Sequence, residues 1–269
     1  MERLFSLTGK VALVTGGSRG IGYMISQGLL QAGARVYITA RNAKACEEAA
    51  QSLSAYGECQ AIPADITQAA GLQSLCEQIC GREPALHILV NNAGAAWGDR
   101  FETYPDSAFD KLMSVNVKAV FSLTQALTPL LEATALAAGD PGRVINIGSM
   151  DGLHIPTVTG VGTYAYTASK AAVHHLTRHL AVELGHRNIT VNAIAPGFFP
   201  SKMTDQLFTH HLADIEHNSL LGRAGQDEEM AGIAIYLSAR AGAYTHGAVI
   251  PVDGGTSINW RHSSASSKT

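Results

Sequence analysis

With 269 residues, 46% of them hydrophobic and 15% charged, the chain has the composition of a folded globular protein and not of a disordered one. Its net charge of -3 and its scattered basic residues exclude a general affinity for nucleic acid or for an anionic membrane surface. No run reaches the roughly eighteen apolar residues of a membrane-spanning helix, and the opening MERLFSLTGKVALVTGG does not read as a leader peptide.

Seven short apolar, β-branched runs predict strands at 10–15, 35–39, 59–63, 87–92, 143–148, 189–195 and 248–253. Between them, helical patterns cover 20–32, 43–56, 68–81, 109–138, 166–184 and 227–239. Apolar strands that alternate with helices predict an α/β fold: a seven-stranded, doubly wound parallel sheet of the Rossmann type, covered by helices on both faces. The alternation never divides into two halves, so one domain is expected over 1–259, followed by a polar, Ser-rich tail at 260–269. Segments 95–101, 151–163 and 197–222 break the rhythm after strands. In such sheets ligands bind beyond the carboxyl ends of the strands, so these segments are the expected walls of a substrate pocket.

The first strand runs into TGGSRGIG, with Gly16, Gly20 and Gly22 placed for a tight turn and a close backbone approach before a helix. A helix N-terminus there offers free N–H groups to a phosphate, so the loop is read as a dinucleotide site that includes Ser18, Arg19 and Ile21. A carboxylate at the end of the second strand would select NAD. Here no Asp or Glu stands between Gly22 and Glu47, and Arg41 follows the strand instead. Arg19 and Arg41 could clamp a 2′-phosphate, which predicts NADP(H).

In TYAYTASKAA, Tyr166 and Lys170 are four apart and share one helix face, whereas Tyr164 has Ala168 four residues on. A phenol is ordinarily a poor proton shuttle near neutrality, and an ammonium beside Tyr166 is expected to favour its phenolate. Tyr166 is therefore the expected general acid for a ketone receiving a hydride, and Tyr164 a wall of the pocket. Cys46, Cys59, Cys76 and Cys80 complete no metal-binding pattern and are expected to be reduced thiols of a cytoplasmic protein. His174, His175 and His179 are expected at a surface or an interface, not on a metal.

TGGSRGIG, NNAG at 91–94, NVK at 116–118, INIGS ending at Ser149, YTASK at 166–170, PG at 196–197 and VDGG at 252–255 follow one another in an order that resembles the short-chain dehydrogenase/reductase family. Within it the chain looks closest to NADPH-dependent β-ketoacyl reductases of the rhamnolipid-associated type, on FSLTGKVALVTGGSRGIG, LSAYGECQAIPAD and APGFFPSKMT. The resemblance implies that Tyr166 is the acid/base, that Lys170 lowers its pKa and holds the nicotinamide ribose, and that Ser149 binds the substrate carbonyl. It implies that Asn116 holds a relay water, that Asp65 and Ile66 face the adenine, and that Asn92, Ala93 and Gly94 line the cofactor. Pro196, Gly197 and Phe199 would sit near the nicotinamide, with Ser201 where relatives often carry Thr. Phe198, Tyr164, Ser149 and Tyr166 would contact the substrate, a 3-oxoacyl thioester or a polyketide-like or cyclic ketone. A homotetramer or homodimer, packing 109–138 and 166–184 across one interface, is also implied. Tyr166 lies 17 positions after Ser149, a longer gap than the family usually shows, which predicts a reshaped pocket wall. The alternatives are an alcohol dehydrogenase working in the oxidative direction and a non-catalytic NADP(H)-binding regulator. The complete set Asn116, Ser149, Tyr166 and Lys170 argues against the regulator.

Overall fold

The computed structural model describes residues 2–138, 140–156, 160–200 and 205–259. Its strands are β1 (Val11–Thr15), β2 (Arg35–Thr39), β3 (Cys59–Ala61), β4 (Ile88–Asn91), β5 (Gly142–Ile147), β6 (Ile189–Pro196) and β7 (Val249–Val252). They form one seven-stranded sheet in the order β3-β2-β1-β4-β5-β6-β7, with every pairing parallel. The order reverses between β1 and β4, and that switch point opens a crevice at the carboxyl ends of the strands.

The helices are α1 (Glu2–Phe5), α2 (Gly20–Gln31), α3 (Ala43–Leu53), α4 (Ala69–Arg82), α5 (Asp106–Met113), α6 (Ala119–Ala138), α7 (Tyr164–Leu184), α8 (Asp205–Asn218) and α9 (Asp227–Ser238). Side chains alternate across a strand, so β1 sends Ala12 and Val14 to one face and Val11 and Leu13 to the other. The first set packs with Ile25 and Leu29 of α2, Cys46 and Leu53 of α3 and Met230 and Ala234 of α9. The second packs with Leu75 and Ile79 of α4, Leu123 and Leu127 of α6 and Leu180 and Leu184 of α7. Each fully buried aliphatic side chain of these two layers contributes about 1.5–3 kcal/mol. The sheet is thereby a rigid platform for the loops at its edge.

Strand ends fall within a residue or two of the sequence reading, but three helices differ. The continuous helix expected over 109–138 is instead α5, a π-helical turn at Ser114–Lys118, and α6. The extra residue in that wide turn carries Asn116, 2% exposed, toward the sheet edge. α7 begins at Tyr164, two residues before the expected start, so both tyrosines lie in its first turn. α8 lies inside the segment read as irregular wall: Gly197, Pro200 and Gly222 around it gave loop signals that masked its helical spacing.

Candidate active site

The turn after β1 is held from outside by β4. Thr15 Oγ1 accepts the backbone N–H groups of Asn92 and Ala93, both at 2.9 Å, and Asn92 Nδ2 donates to the carbonyls of Thr15 at 2.9 Å and Gly16 at 3.2 Å. Gly16 has φ +66, and a Cβ on Gly22 would stand 2.3 Å from the Gly16 oxygen and 2.4 Å from Asn92 Nδ2. Neither place admits a side chain. Helix α2 then starts at Gly20 with no side-chain cap, which leaves its first N–H groups facing the crevice beside the exposed Arg19. Arg41 is exposed just beyond β2, close enough to Asp65 for its charge to act on that carboxyl. Asp65 is held below the ordinary carboxylate range chiefly by the Thr67 hydroxyl, which donates to Oδ1 at 2.6 Å. Two guanidinium groups and a helix N-terminus suit a ribose phosphate, so the residues present fit a phosphorylated dinucleotide.

A cleft of about 170 Å³ runs from there to Ser149, Tyr166 and Lys170. Arg19, Gly20 and Ile21 line one end, Asn92, Gly94, Pro196, Gly197 and Phe199 the middle, and Ser149, Tyr166 and Lys170 the other end. Gly16, Ser18, Gly22 and Ala93 stand behind this lining, while Arg41, Asp65 and the buried Ile66 lie beyond β2 and β3. Ser201 and the tail at 260–269 lie outside the described residues.

The Ser149 hydroxyl stands beside the Tyr166 phenol, close enough to favour its ionised form. Lys170, 6% exposed, donates from Nζ to the Ile147 carbonyl at 2.8 Å and sits 5.6 Å from the centroid of the Tyr166 ring. Burial pushes the Tyr166 phenol up to about 12, with the Ser149 hydroxyl pulling it down and the nearby Asp151 carboxyl adding to the rise. Burial brings the Lys170 ammonium down to about 8, against the pull of Asp151. The fall in the pKa of Tyr166 expected from the sequence is thus reversed, and loss of solvent is the largest cause. The phenol holds its proton across the neutral range, the state a proton donor needs.

Asn116 shows the use of the π turn. Its Nδ2 donates to the Ala95 carbonyl at 3.0 Å and to Ser169 Oγ at 2.9 Å, and its Oδ1 accepts from the Ala95 N–H at 2.9 Å. Both amide hydrogens are therefore committed to holding the 95–101 segment against α7.

Tyr164 and Tyr166 face different surroundings. The Tyr164 ring packs edge-on against Phe101 at 5.6 Å and Tyr104 at 5.5 Å, beneath Gly162, where a Cβ would meet it at 2.4 Å. Asp99 and Gly162 exchange backbone hydrogen bonds of 2.8 and 3.2 Å, joining the two pocket segments by a single antiparallel bridge. Phe198 is not brought to the cleft. It lines a neighbouring cavity of about 430 Å³ with Leu220 and Leu221, separated by Phe199, which borders both.

Two groups near Ser149 and Tyr166 are not among the site residues expected from the sequence. Asp151 is half-buried, its carboxyl raised by burial despite the charges of His154 and Lys170. His174 was expected at a surface and is 3% exposed, because it faces inward from α7 while His175 and His179 face solvent. The spacing that separates these faces, four residues from Lys170 to His174, was the available signal. Among the described residues no cluster of His, Cys, Asp or Glu could hold a metal ion. No described helix is long and apolar enough to cross a membrane.

The family model described as short chain dehydrogenase matches residues 10–212. A rhamnolipids biosynthesis 3-oxoacyl-[acyl-carrier-protein] reductase of Pseudomonas aeruginosa is 53% identical over 258 residues, covering 95% of this chain and 99% of that protein. A gluconate 5-dehydrogenase of Gluconobacter oxydans is 35% identical over 263 residues, covering 95% and 98%. Among solved structures, the Pseudomonas aeruginosa RhlG/NADP active-site complex superposes with a TM-score of 0.91 at 52% identity, covering 96% of this chain and all of that one, 100%.

Proposed function

The chain belongs to the short chain dehydrogenase family, and we propose that within it the protein is an NADPH-dependent ketoreductase acting on 3-oxoacyl thioesters. The observation that carries this reading is the convergence of Ser149, Tyr166 and the buried Lys170 at the end of a cleft that begins in a phosphate-fitting glycine turn. The relative named as a 3-oxoacyl-[acyl-carrier-protein] reductase and the NADP complex of its structural counterpart support the substrate class and the coenzyme.

Arg19 and Arg41 would hold the 2′-phosphate, and the first turn of α2 would meet the pyrophosphate. Asn92, Gly94, Pro196 and Gly197 would flank the nicotinamide end, which when bound would supply the hydride to the carbonyl carbon. Ser149 Oγ and the Tyr166 hydroxyl donate to the substrate oxygen, polarising the carbonyl before transfer. As negative charge develops there, Tyr166 gives its proton and becomes phenolate, which the Lys170 ammonium stabilises. Lys170 orients this step from its anchor on the Ile147 carbonyl. Burial keeps the phenol protonated, the form in which it can donate. The aromatic wall of Tyr164, Phe101 and Tyr104 suits an apolar acyl group. The protein works in solution in the cytoplasm, as a homodimer or homotetramer built on α6 and α7.

An NADPH-oxidation screen over acetoacetyl thioesters, bulky cyclic ketones and α-diketones tests this, with Tyr166→Phe as control. Thioesters should turn over fastest, and the variant should keep NADPH affinity while losing about 100-fold or more in kcat. No turnover on any carbonyl despite NADPH binding would leave a cofactor-binding regulator, and full turnover by the variant would remove Tyr166 from the mechanism.

A further inference from the structure

The imidazole of His174 packs against the backbone on either side of Ser149 and is not part of the cleft lining. The backbone closes around it on two sides: a Cβ on Gly148 would stand 2.0 Å from Nε2, and one on Gly152 would stand 2.7 Å from Cε1. The ring therefore fills a slot whose two walls are the glycines that bracket Ser149, Met150 and Asp151. Within that slot the Ser149 N–H points at Nε2, 3.4 Å away. We propose that His174 is a positioning residue of the active site, whose unprotonated Nε2 accepts the Ser149 N–H and so fixes the main chain from which the Ser149 hydroxyl reaches Tyr166 and the substrate.

The chemistry of the ring fits this place. An imidazole that accepts at Nε2 must carry its single proton on Nδ1. A second proton would set two N–H groups against each other, and burial removes that option by bringing His174 down to about 4. The Gly152 carbonyl is the ring's other polar neighbour, and Nδ1 is buried with no hydrogen bond of good geometry among the described residues. The hydrogen bond that the ring does make thus points at the Ser149 backbone. Ser149 itself is the extended residue that opens the short Met150–Gly152 turn, its Oγ accepting the Asp151 N–H at 3.1 Å. Without the hydrogen bond to the ring, the hydroxyl is free to turn entirely to that local bond and away from Tyr166. An ordinary aliphatic residue would fill the volume but could not accept a hydrogen bond.

Paired variants separate filling from accepting: His174→Gln retains an acceptor, and His174→Met has nearly the same length without a comparable one. The glutamine enzyme should stay within about threefold of the parent in kcat, the methionine enzyme should lose about tenfold, and the KM for NADPH should be unchanged in both. Equal turnover of the two variants, whether high or low, would overturn the proposal. The kinetic arm rests on Ser149 acting as proposed above. A nitrogen NMR measurement on the unaltered protein does not: an unprotonated Nε2 at neutral pH supports the hydrogen bond, and a protonated Nε2 refutes it even if the protein reduces no ketone.

Discussion

The cofactor side and the substrate side of the cleft are built on opposite plans. Around the β1 turn, backbone meets backbone: Thr15 and Asn92 tie two strands together, and Gly22 lies against Gly16 with no room for a methyl group. Around Tyr164 the segments touch through one antiparallel bridge and the edges of aromatic rings, with Phe101 at 74% exposure and Val161 at 59%. A shared coenzyme demands one geometry, which glycine packing enforces. A variable substrate needs a wall that side chains can reshape while the platform below stays fixed.

If that contrast is real, the cofactor side should be the more brittle. Gly22→Ala puts a Cβ 2.3 Å from the Gly16 oxygen, so the turn or the start of α2 has to move. Losing two N–H contacts to phosphate costs on the order of 3 kcal/mol, or about 100-fold in affinity. Isothermal titration with NADPH should show that loss while circular dichroism shows a folded protein. An alanine variant that binds NADPH normally would break the comparison at its firmest point.

Titration sharpens it next. The strongly shifted groups of the cleft, Tyr166 and Lys170, lie at the substrate end, and the glycine turn contains none. Lys170 is charged below about 8 and neutral above, whereas Tyr166 keeps its proton to about 12. The alkaline limb of reduction therefore belongs to the loss of the ammonium, and kcat/KM should drop by about 30-fold between roughly pH 7 and pH 9.5. The ratio of NADPH to NADH usage, which we propose is set by Arg19 and Arg41, should stay level across the same range. A limb that appears only near pH 12 would show that Lys170 does not matter to the proton transfer.

The same division explains what could be read from the sequence. The parallel sheet, the glycine turn and the Tyr166–Lys170 pair announce themselves because each rests on local spacing: apolar strand runs, three glycines before a helix, four residues on one helical face. The π turn at Asn116 does not, since its residues are ordinary helix formers and the bulge is held by Ala95, 21 positions away. His174 lies in plain view as one of several histidines on α7. Only the slot between Gly148 and Gly152, made by a strand end far along the chain, distinguishes it from His175. The direction of the Tyr166 shift is hidden for a related reason: the ammonium is visible in the sequence and the loss of solvent is not.

The gentlest break is at Tyr164. Its ring makes two edge contacts with neighbouring aromatics and packs below Gly162, yet it lies outside the lining of the Ser149–Tyr166 cleft. Each aromatic pair contributes about 0.5–1.5 kcal/mol beyond burial, and its loss falls on the shape of the wall and not on the reacting atoms. Tyr164→Ala should therefore raise KM for a long 3-oxoacyl thioester by about threefold to tenfold, move KM for a short acetoacetyl thioester less, and leave kcat for both nearly unchanged. Steady-state kinetics on the two chain lengths reads this difference. A large fall in kcat with either substrate would make Tyr164 part of the proton-transfer machinery, and the two tyrosines of α7 would no longer divide into one that reacts and one that shapes.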